Sequence, residues 1–433
     1  MREPARSLAP PAGSMVYLRA ALGITFFCAV AWLISSERRR VPWRILAFGL
    51  LAQLALGWTI LNTLWGRELF ESLGLWVAKL IGMTDYGSQL VFGRLADPEA
   101  GPWGLVFAFK ALTTIIFFSA LMSILYHLGV MQVVVWAIAK LLSALLGVSG
   151  AESMSTAANI FCGQAEAPLV VKPYIPRMTN SELMALMTGG FATIAGSVMA
   201  VYMGIVGPQY APHLLSASVM AAPAAFVMAK LMRPETEQAV TAGRVELRIE
   251  REANNLIEAA ANGTADGLKL WLNVIAMLIA FVALIHLVDW PLGWLGDRLE
   301  LEGGLSLSRI FGWVFAPVAW LIGVEGWRDS QLFGSLLGVK IAVNEFVAYT
   351  QLAQMQPDAA GGGGPAFDTV RSAKMATYAL CGFANFASIG IQIGALTPLA
   401  PNRKADIART ALKAMVAGAF ASCMTAAVAG MFL

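Results

Sequence analysis

Runs without Asp, Glu, Lys or Arg punctuate the chain at 20 to 36, 45 to 66, 111 to 139, 183 to 229, 270 to 288, 375 to 402 and 414 to 433. A helix needs about 20 apolar residues to cross a bilayer. The longest run therefore holds two spans, divided at Val206-Gly207-Pro208-Gln209-Tyr210-Ala211-Pro212, where glycine and proline interrupt a helix. The run from 111 is one span, entered near Trp103 and ending in a break at His127-Leu128-Gly129. The pattern predicts an all-α polytopic membrane protein with about eight transmembrane helices.

Three apolar pieces fit spans poorly. Residues 130 to 147, with Lys140, predict a helix along the cytoplasmic interface, and 305 to 324, with Arg309 and Pro317, its outer counterpart. Reading the latter as a ninth span would put Arg403 and Lys404 on the wrong side. Residues 67 to 83 are amphipathic and suit the membrane surface or a subunit contact. The first span contains Ala29-Val30-Ala31, which mimics a cleavage site, but it runs on to Ile34 and ends in Arg38, Arg39, Arg40 and Arg44, as an uncleaved anchor does. Those arginines, with Arg403, Lys404 and Arg409, belong in the cytoplasm, which places both termini outside. The loop from Arg233 to Asp266 is then cytoplasmic, and its Asn262-Gly263-Thr264 sequon has no use.

A repeat is visible by eye. Gly190-Phe191-Ala192-Thr193-Ile194-Ala195 and Gly382-Phe383-Ala384-Asn385-Phe386-Ala387 match at four of six positions. Each follows a polar-marked hairpin: 151 to 178 carries Gln164, Glu166 and Pro168, and 329 to 356 carries Asn344 and Glu345. The order in both units is interfacial helix, hairpin, span, span. One extra span, 270 to 288, separates them and inverts the second unit. Inverted repeats with broken helices and re-entrant hairpins are how secondary transporters build a site at mid-membrane. The small residues at the breaks would equally serve close helix packing.

Composition narrows the class. The chain is 58% hydrophobic and 13% charged, against about 25% charged in soluble proteins. A net charge of +3 without a basic cluster gives no footprint for nucleic acid. Four scattered cysteines and three scattered histidines have no metal-ligand spacing. A membrane-embedded enzyme is the different-class alternative. It would need a nucleophile with a base, a metal cluster or a phosphate cradle, and the glycine run 361 to 364 leads to Pro365, as a flexible link does. A channel is a closer rival, but paired hairpins with carboxylates suit an occluded site better.

A carboxylate at the bilayer centre costs about 3 kcal/mol, so Glu166 and Glu345 should face a polar cavity, with Gln164, Asn344, Asn385 and Ser388 beside them. Carboxylates, amides and a hydroxyl suit the hydroxyls and ring nitrogens of a neutral polar solute. Lys340 reads as a lysine snorkelling to the interface.

At these residues the chain resembles the concentrative nucleoside transporters. Gly163-Gln164-Ala165-Glu166-Ala167-Pro168-Leu169, Asn344-Glu345-Phe346-Val347-Ala348-Tyr349 and Ala379-Leu380-Cys381-Gly382-Phe383-Ala384-Asn385-Phe386-Ala387-Ser388-Ile389-Gly390-Ile391 are similar to that family's signature motifs. Ala195-Gly196-Ser197-Val198 and Pro401-Asn402-Arg403-Lys404 continue the likeness. The resemblance implies a sodium-coupled symporter importing nucleosides by an elevator motion, a homotrimer in the bacterial inner (plasma) membrane surrounded by lipid, with no cofactor other than the coupling ion. It implies that Gln164 and Glu166 address the nucleobase, with Val198 and Phe383 packing nearby, and that Glu345, Asn385 and Ser388 hold the ribose. Sodium would be held by the side chains of Asn159 and Thr193 and the carbonyls of Cys162, Thr193 and Ile194. Ala165 departs from the family's usual Thr or Ser, which bears on base selectivity.

The implied organisation is scaffold helices in 1–127, a first transport repeat in 128–232, a cytoplasmic loop and scaffold span in 233–304, and a second transport repeat in 305–433. Proton coupling through Glu166 or Glu345 is the alternative to sodium.

Overall fold

The computed structural model describes residues 14–96, 106–243, 253–301, 304–357 and 365–433; Trp103 and the 361 to 364 glycine run lie outside them. Among the described residues the fold is helical. The N-terminal part comprises α1 (Ser14–Leu33), α2 (Trp43–Asn62), α3 (Leu64–Phe92), α4 (Phe107–Lys110) and α5 (Thr114–His127). There follow α6 (Val130–Leu146), α7 (Gly150–Asn159), α8 (Asn180–Ala192), α9 (Gly196–Val206) and α10 (Ala211–Met232). The long α11 (Leu256–Arg298) leads to α12 (Leu307–Leu321), α13 (Trp327–Ala342), α14 (Glu345–Gln354), α15 (Val370–Leu380), α16 (Phe386–Leu396) and α17 (Lys404–Gly430).

Among the described residues, seven helical stretches are long and apolar enough to cross a membrane: Met15–Leu33, Trp43–Asn62, Ala108–His127, Asn180–Val206, Pro208–Met232, Leu256–Arg298 and Pro401–Gly430. The remaining expected span, 375 to 402, is interrupted between α15 and α16, where Gly382 has φ of +138°. Its first half begins ahead of the charge-free run, at Val370 behind a Thr369 cap. Arg371 is tolerated there because it pairs with Glu325 at 3.2 Å and donates to the carbonyls of Gly323 and Gly430. The expected breaks at His127-Leu128-Gly129 and between 206 and 212 are present, the first with Gly129 at φ of +81°.

Charge-free length underestimates α11, which has 43 residues. Its N-terminal turns contain Asn262 and lie tight on α5. A Cβ on Gly263 would sit 2.6 Å from the Ser119 carbonyl oxygen, and one on Gly267 would sit 2.7 Å from the Ile116 Cα. The amphipathic piece at 67 to 83 is the middle of α3. This helix buries Gly66, Gly74, Thr84 and Ser88 and exposes Trp65, Leu69, Trp76 and Leu90. With 15 residues, α12 is about 22 Å long, too short for a hydrocarbon core of about 30 Å. It lies along α13, where Gly334 and Gly338 make room for Ala316 and Phe311.

The order short helix, hairpin, broken helix, long helix occurs twice, as α6, α7 with its return arm, α8–α9, α10 and as α12, α13–α14, α15–α16, α17. The first return arm is only 3-10 turns, Ala167–Val171 and Ile175–Arg177, because Pro168, Pro173 and Pro176 forbid a continuous α-helix. The base of this hairpin is held by reciprocal caps, Ser149 with Glu152 and Thr179 with Glu182. They are joined by the Ser149 hydroxyl donating to Glu182 at 2.5 Å and by the Lys230–Glu152 pair at 2.6 Å. Buried helices α8, α10 and α17 pack mutually at the centre.

Candidate functional site

The two broken helices meet at their breaks. The Phe383 N–H donates to the Thr193 carbonyl at 3.3 Å. A side chain on Gly382 would strike the Phe191 carbonyl at 2.7 Å, and its positive φ independently favours glycine. Backbone polar groups freed by a break must find partners when buried, and here each break supplies the other.

Hairpin 2 brings its carboxylate to this point. Asn344 caps α14 by accepting from the Val347 N–H at 2.9 Å, which places Glu345 in the first turn of α14, where a helix N-terminus favours negative charge. Its two oxygens accept from the Tyr202 hydroxyl and the Asn385 amide, both at 2.8 Å. Asn385 in turn caps α16, its Oδ1 accepting from the Ser388 N–H at 2.8 Å. Glu345, Asn385 and Ser388 therefore form one hydrogen-bonded, buried group. Tyr202 was not singled out from sequence, although it lies one helical turn beyond Val198 on α9; its ring stacks on Tyr349 at 4.4 Å.

Hairpin 1 is placed differently. Gln164 and Gln392 both crowd Gly190: a Cβ there would lie 2.9 Å from the Gln164 Cβ and 2.6 Å from the Gln392 Nε2. Gln392 donates to the Met187 carbonyl at 3.0 Å, tying α16 to α8. Sequence reading passed over it, yet Asn385, Ser388 and Gln392 are spaced at three, four and seven residues, one polar stripe on a helix. Glu166 accepts from the Gly163 N–H at 3.2 Å and faces a cavity of about 470 Å³ shared with Tyr126 and Ser123 of α5 and Asn262 and Asp266 of α11. No hydrogen bond among the described residues joins Glu166 to the Glu345 group. Val198 is buried on α9 near Ser197, which lines that cavity, and Phe383 is half-buried.

Around the end of α7 lie polar atoms without protein partners. The Asn159 Nδ2 donates to the Ser155 carbonyl at 3.1 Å, but its Oδ1 is buried and unpaired, as are the hydroxyls of Thr156 and Thr188 and the Oε1 atoms of Gln164 and Gln392. The Thr193 hydroxyl donates to the Gly189 carbonyl at 2.9 Å, which leaves its oxygen lone pairs able to meet a cation. Each unmet buried acceptor costs about 1–3 kcal/mol, and this cluster of neutral oxygens has the donor chemistry that a hard cation takes. Cys162 is buried, and its thiol contacts the Tyr126 hydroxyl; Ile194 is buried in the break.

Lys340 departs from the interfacial reading. It is 1% exposed and donates to the Ala379 carbonyl at 2.8 Å. A negative helix end and the nearby Glu345 offset a desolvation cost that a free lysine would avoid by reaching water.

Comparison with known proteins agrees with this architecture. Family models for the N-terminus of Na+ dependent nucleoside transporters, for nucleoside recognition and for the transporter C-terminus match residues 22–95, 108–209 and 213–430. An uncharacterized transporter of Haemophilus influenzae is 45% identical over 97% of this chain and 98% of its own length. The human sodium/nucleoside cotransporter 1 is 41% identical over 94% of this chain, which spans 62% of that longer protein. The solved transporter CNTnw in an inward-facing substrate-bound state superposes with a TM-score of 0.88 at 42% identity, covering 96% of this chain and 98% of that one. A variant of it in an outward-facing state superposes with 0.90 at 41% identity, covering 97% and 99%. The helical fold, the paired hairpins and breaks, and these likenesses together place the chain in the concentrative, sodium-dependent nucleoside transporter family, a family of integral membrane transporters and not of enzymes.

Proposed function

We propose that this protein is a symporter that moves nucleosides across the membrane by alternating access, coupled to sodium. The observation that carries the reading is the Glu345–Asn385–Ser388 group at the meeting of hairpin 2 with the α15–α16 break. Its carboxylate already accepts two hydrogen bonds from neutral donors, and a vicinal diol offers the same two donors. Glu345, Asn385 and Ser388 would hold the ribose, Gln164 and Glu166 the nucleobase, and Val198 and Phe383 its faces. Asn159, Cys162, Thr193 and Ile194 would surround the sodium ion. The unpaired Asn159 Oδ1 supports that shell.

The cavity under Glu166 separates α5 and α11 from hairpin 1. That supports an elevator in which the two repeats, the second inverted relative to the first, slide past an α5–α11 scaffold. Arg19 of α1 donates to the Trp320 carbonyl in the last turn of α12 and to the Val324 carbonyl just beyond it, and Gln53 of α2 donates to Thr425 of α17, so α1 and α2 both touch the second repeat. Exposed apolar faces on α3 and α11 suit lipid and the homotrimer. An inner-membrane location with both termini outside completes the reading.

One sodium moving down −100 mV yields about 2.3 kcal/mol and a tenfold gradient about 1.4 kcal/mol more. Together they allow roughly 500-fold accumulation of a neutral solute. The test is uptake of radiolabelled uridine into proteoliposomes. Accumulation driven by a sodium gradient is expected; equal accumulation under a proton gradient in sodium-free medium would replace sodium by proton coupling.

A further inference from the structure

Gln392 lies on the same stripe of α16 as Asn385 and Ser388, yet the site as assigned leaves it without a role. Its side chain is wholly buried, and its Nε2 donates to the Met187 carbonyl of α8 at 3.0 Å. A carbonyl can only accept, so this bond fixes which way round the amide stands, nitrogen toward α8 and oxygen away from it. That Oε1 is buried and has no partner. Hairpin 1 supplies the neighbour. The point where a Gly190 Cβ would stand is 2.6 Å from the Gln392 Nε2 and 2.9 Å from the Gln164 Cβ, so the two glutamines fill the space that one missing side chain leaves. Gln164 is 5% exposed, its own Oε1 is buried and unpaired, and among the described residues no hydrogen bond holds its side chain. Two neighbouring amides with both oxygens unmet are an unfinished network. Only one polarity lets a solute finish it. When the Gln164 Nε2 donates to the Gln392 Oε1, the inner acceptor is met and the remaining one, the Gln164 Oε1, stands in the turn of hairpin 1. In the reverse arrangement, with Gln392 donating its second hydrogen to the Gln164 Oε1, the Gln392 oxygen stays orphaned on a side chain that no solute meets.

We propose that Gln392 is a positioning residue for nucleobase selectivity: through a relay from the Met187 carbonyl by way of the Gln392 and Gln164 amides, it turns an acceptor oxygen toward the solute, which selects bases with an N–H donor on the edge remote from the sugar. The exocyclic amine of cytidine or adenosine and the ring N–H of uridine meet that requirement. The inference rests on the reading that Gln164 addresses the nucleobase. Gln392 does not touch the solute; it acts by holding Gln164 one way round.

The experiment measures binding to the purified protein at saturating sodium for two pairs of ligands. Cytidine is paired with 2-pyrimidinone riboside, which lacks the 4-amino group, and adenosine with purine riboside, which lacks the 6-amino group. Each analogue keeps the shape and the ring-nitrogen acceptor and has no N–H on that edge. Wild type should prefer the amino-bearing member by about fivefold or more, the effect of one hydrogen bond. Equal binding, or a preference for the analogues, overturns the inference without any variant. Gln392→Met keeps the length of the side chain and removes its acceptor. It should cut the preference by about threefold or more, while discrimination between uridine and 2′-deoxyuridine, read at the ribose end, holds. A loss of affinity equal for all nucleosides with the preference intact means that Gln392 only ties α16 to α8, and overturns the inference. Gln392→Glu retains an oxygen toward Gln164 and should keep the preference. A loss there matching that of Gln392→Met overturns the inference too, and this variant decides the matter if Gln392→Met binds no nucleoside. Gln164→Met separates the two levels of the argument. Preference lost in Gln164→Met but kept in Gln392→Met sinks the inference alone, whereas preference kept in Gln164→Met removes Gln164 from the base and takes down the assignment on which the inference rests.

Discussion

The two repeats share an order of elements but differ in polar satisfaction where each hairpin meets its broken helix, although Gln392 of α16 keeps an unpaired Oε1 beside the first of these places. In the second, Asn344 and Asn385 cap their helices, Glu345 has two donors and Lys340 has its carbonyl. In the first, Asn159, Thr156, Thr188 and Gln164 each keep a buried polar atom without a protein partner. The return arms differ in the same sense, α14 being a capped helix and its counterpart 3-10 turns around prolines. A network complete in itself is rigid before a ligand arrives. One left short of partners is stabilised by whatever supplies them. Under the proposed assignment, the ribose end of the site is preformed, whereas the end near hairpin 1 would be completed by ion and solute.

The strongest way to break this contrast is Glu345→Gln, which preserves size and removes the charge that Tyr202 and Asn385 address. A hydrogen bond to a charged group is worth about 1.5–3 kcal/mol, so uridine affinity should fall by tenfold or more, read by calorimetry on purified protein. Unchanged affinity would take Glu345 out of the site. Next comes Asn159→Ala, with Thr193→Ala beside it. Each removes an oxygen from the proposed sodium shell, and the sodium concentration for half-maximal uptake should rise about tenfold, the effect of roughly 1.4 kcal/mol. Uridine affinity at saturating sodium should change less. Since coupling is reciprocal, some loss at low sodium accompanies it; equal losses at all sodium concentrations would mean that these residues only support the helix break.

Tyr202→Phe sharpens the comparison by deleting one donor from the satisfied half while leaving its ring on Tyr349. A loss of about 1 kcal/mol, roughly fivefold in uridine affinity, is expected, with no change in the sodium requirement. The smallest effect belongs to Ala165→Thr, which adds a hydroxyl beside Gln164 and Glu166. Competition among purine and pyrimidine nucleosides should reorder by a few-fold, below about 1 kcal/mol, while discrimination between ribose and deoxyribose holds. An unaltered competition profile would move residue 165 away from the base.

The charge-free runs, the glycine and proline breaks and the twice-used Gly-Phe-Ala motif determined the helical membrane class, most of the spans, the hairpins and the residues around them, because bilayer thickness and the cost of buried charge act on sequence locally. Tertiary structure alone decided the rest. It extended α11 past its charge-free core and began α15 early, since Arg371 found Glu325 and two carbonyls that no local pattern reveals. It joined Glu345 of hairpin 2 to Tyr202 of the first repeat, turned Glu166 toward α5 and α11, and buried Lys340 where sequence placed it at an interface. The physical reason is common to all of these: whether a polar group can remain inside depends on the partner that meets it, and those partners lie tens to hundreds of residues away along the chain.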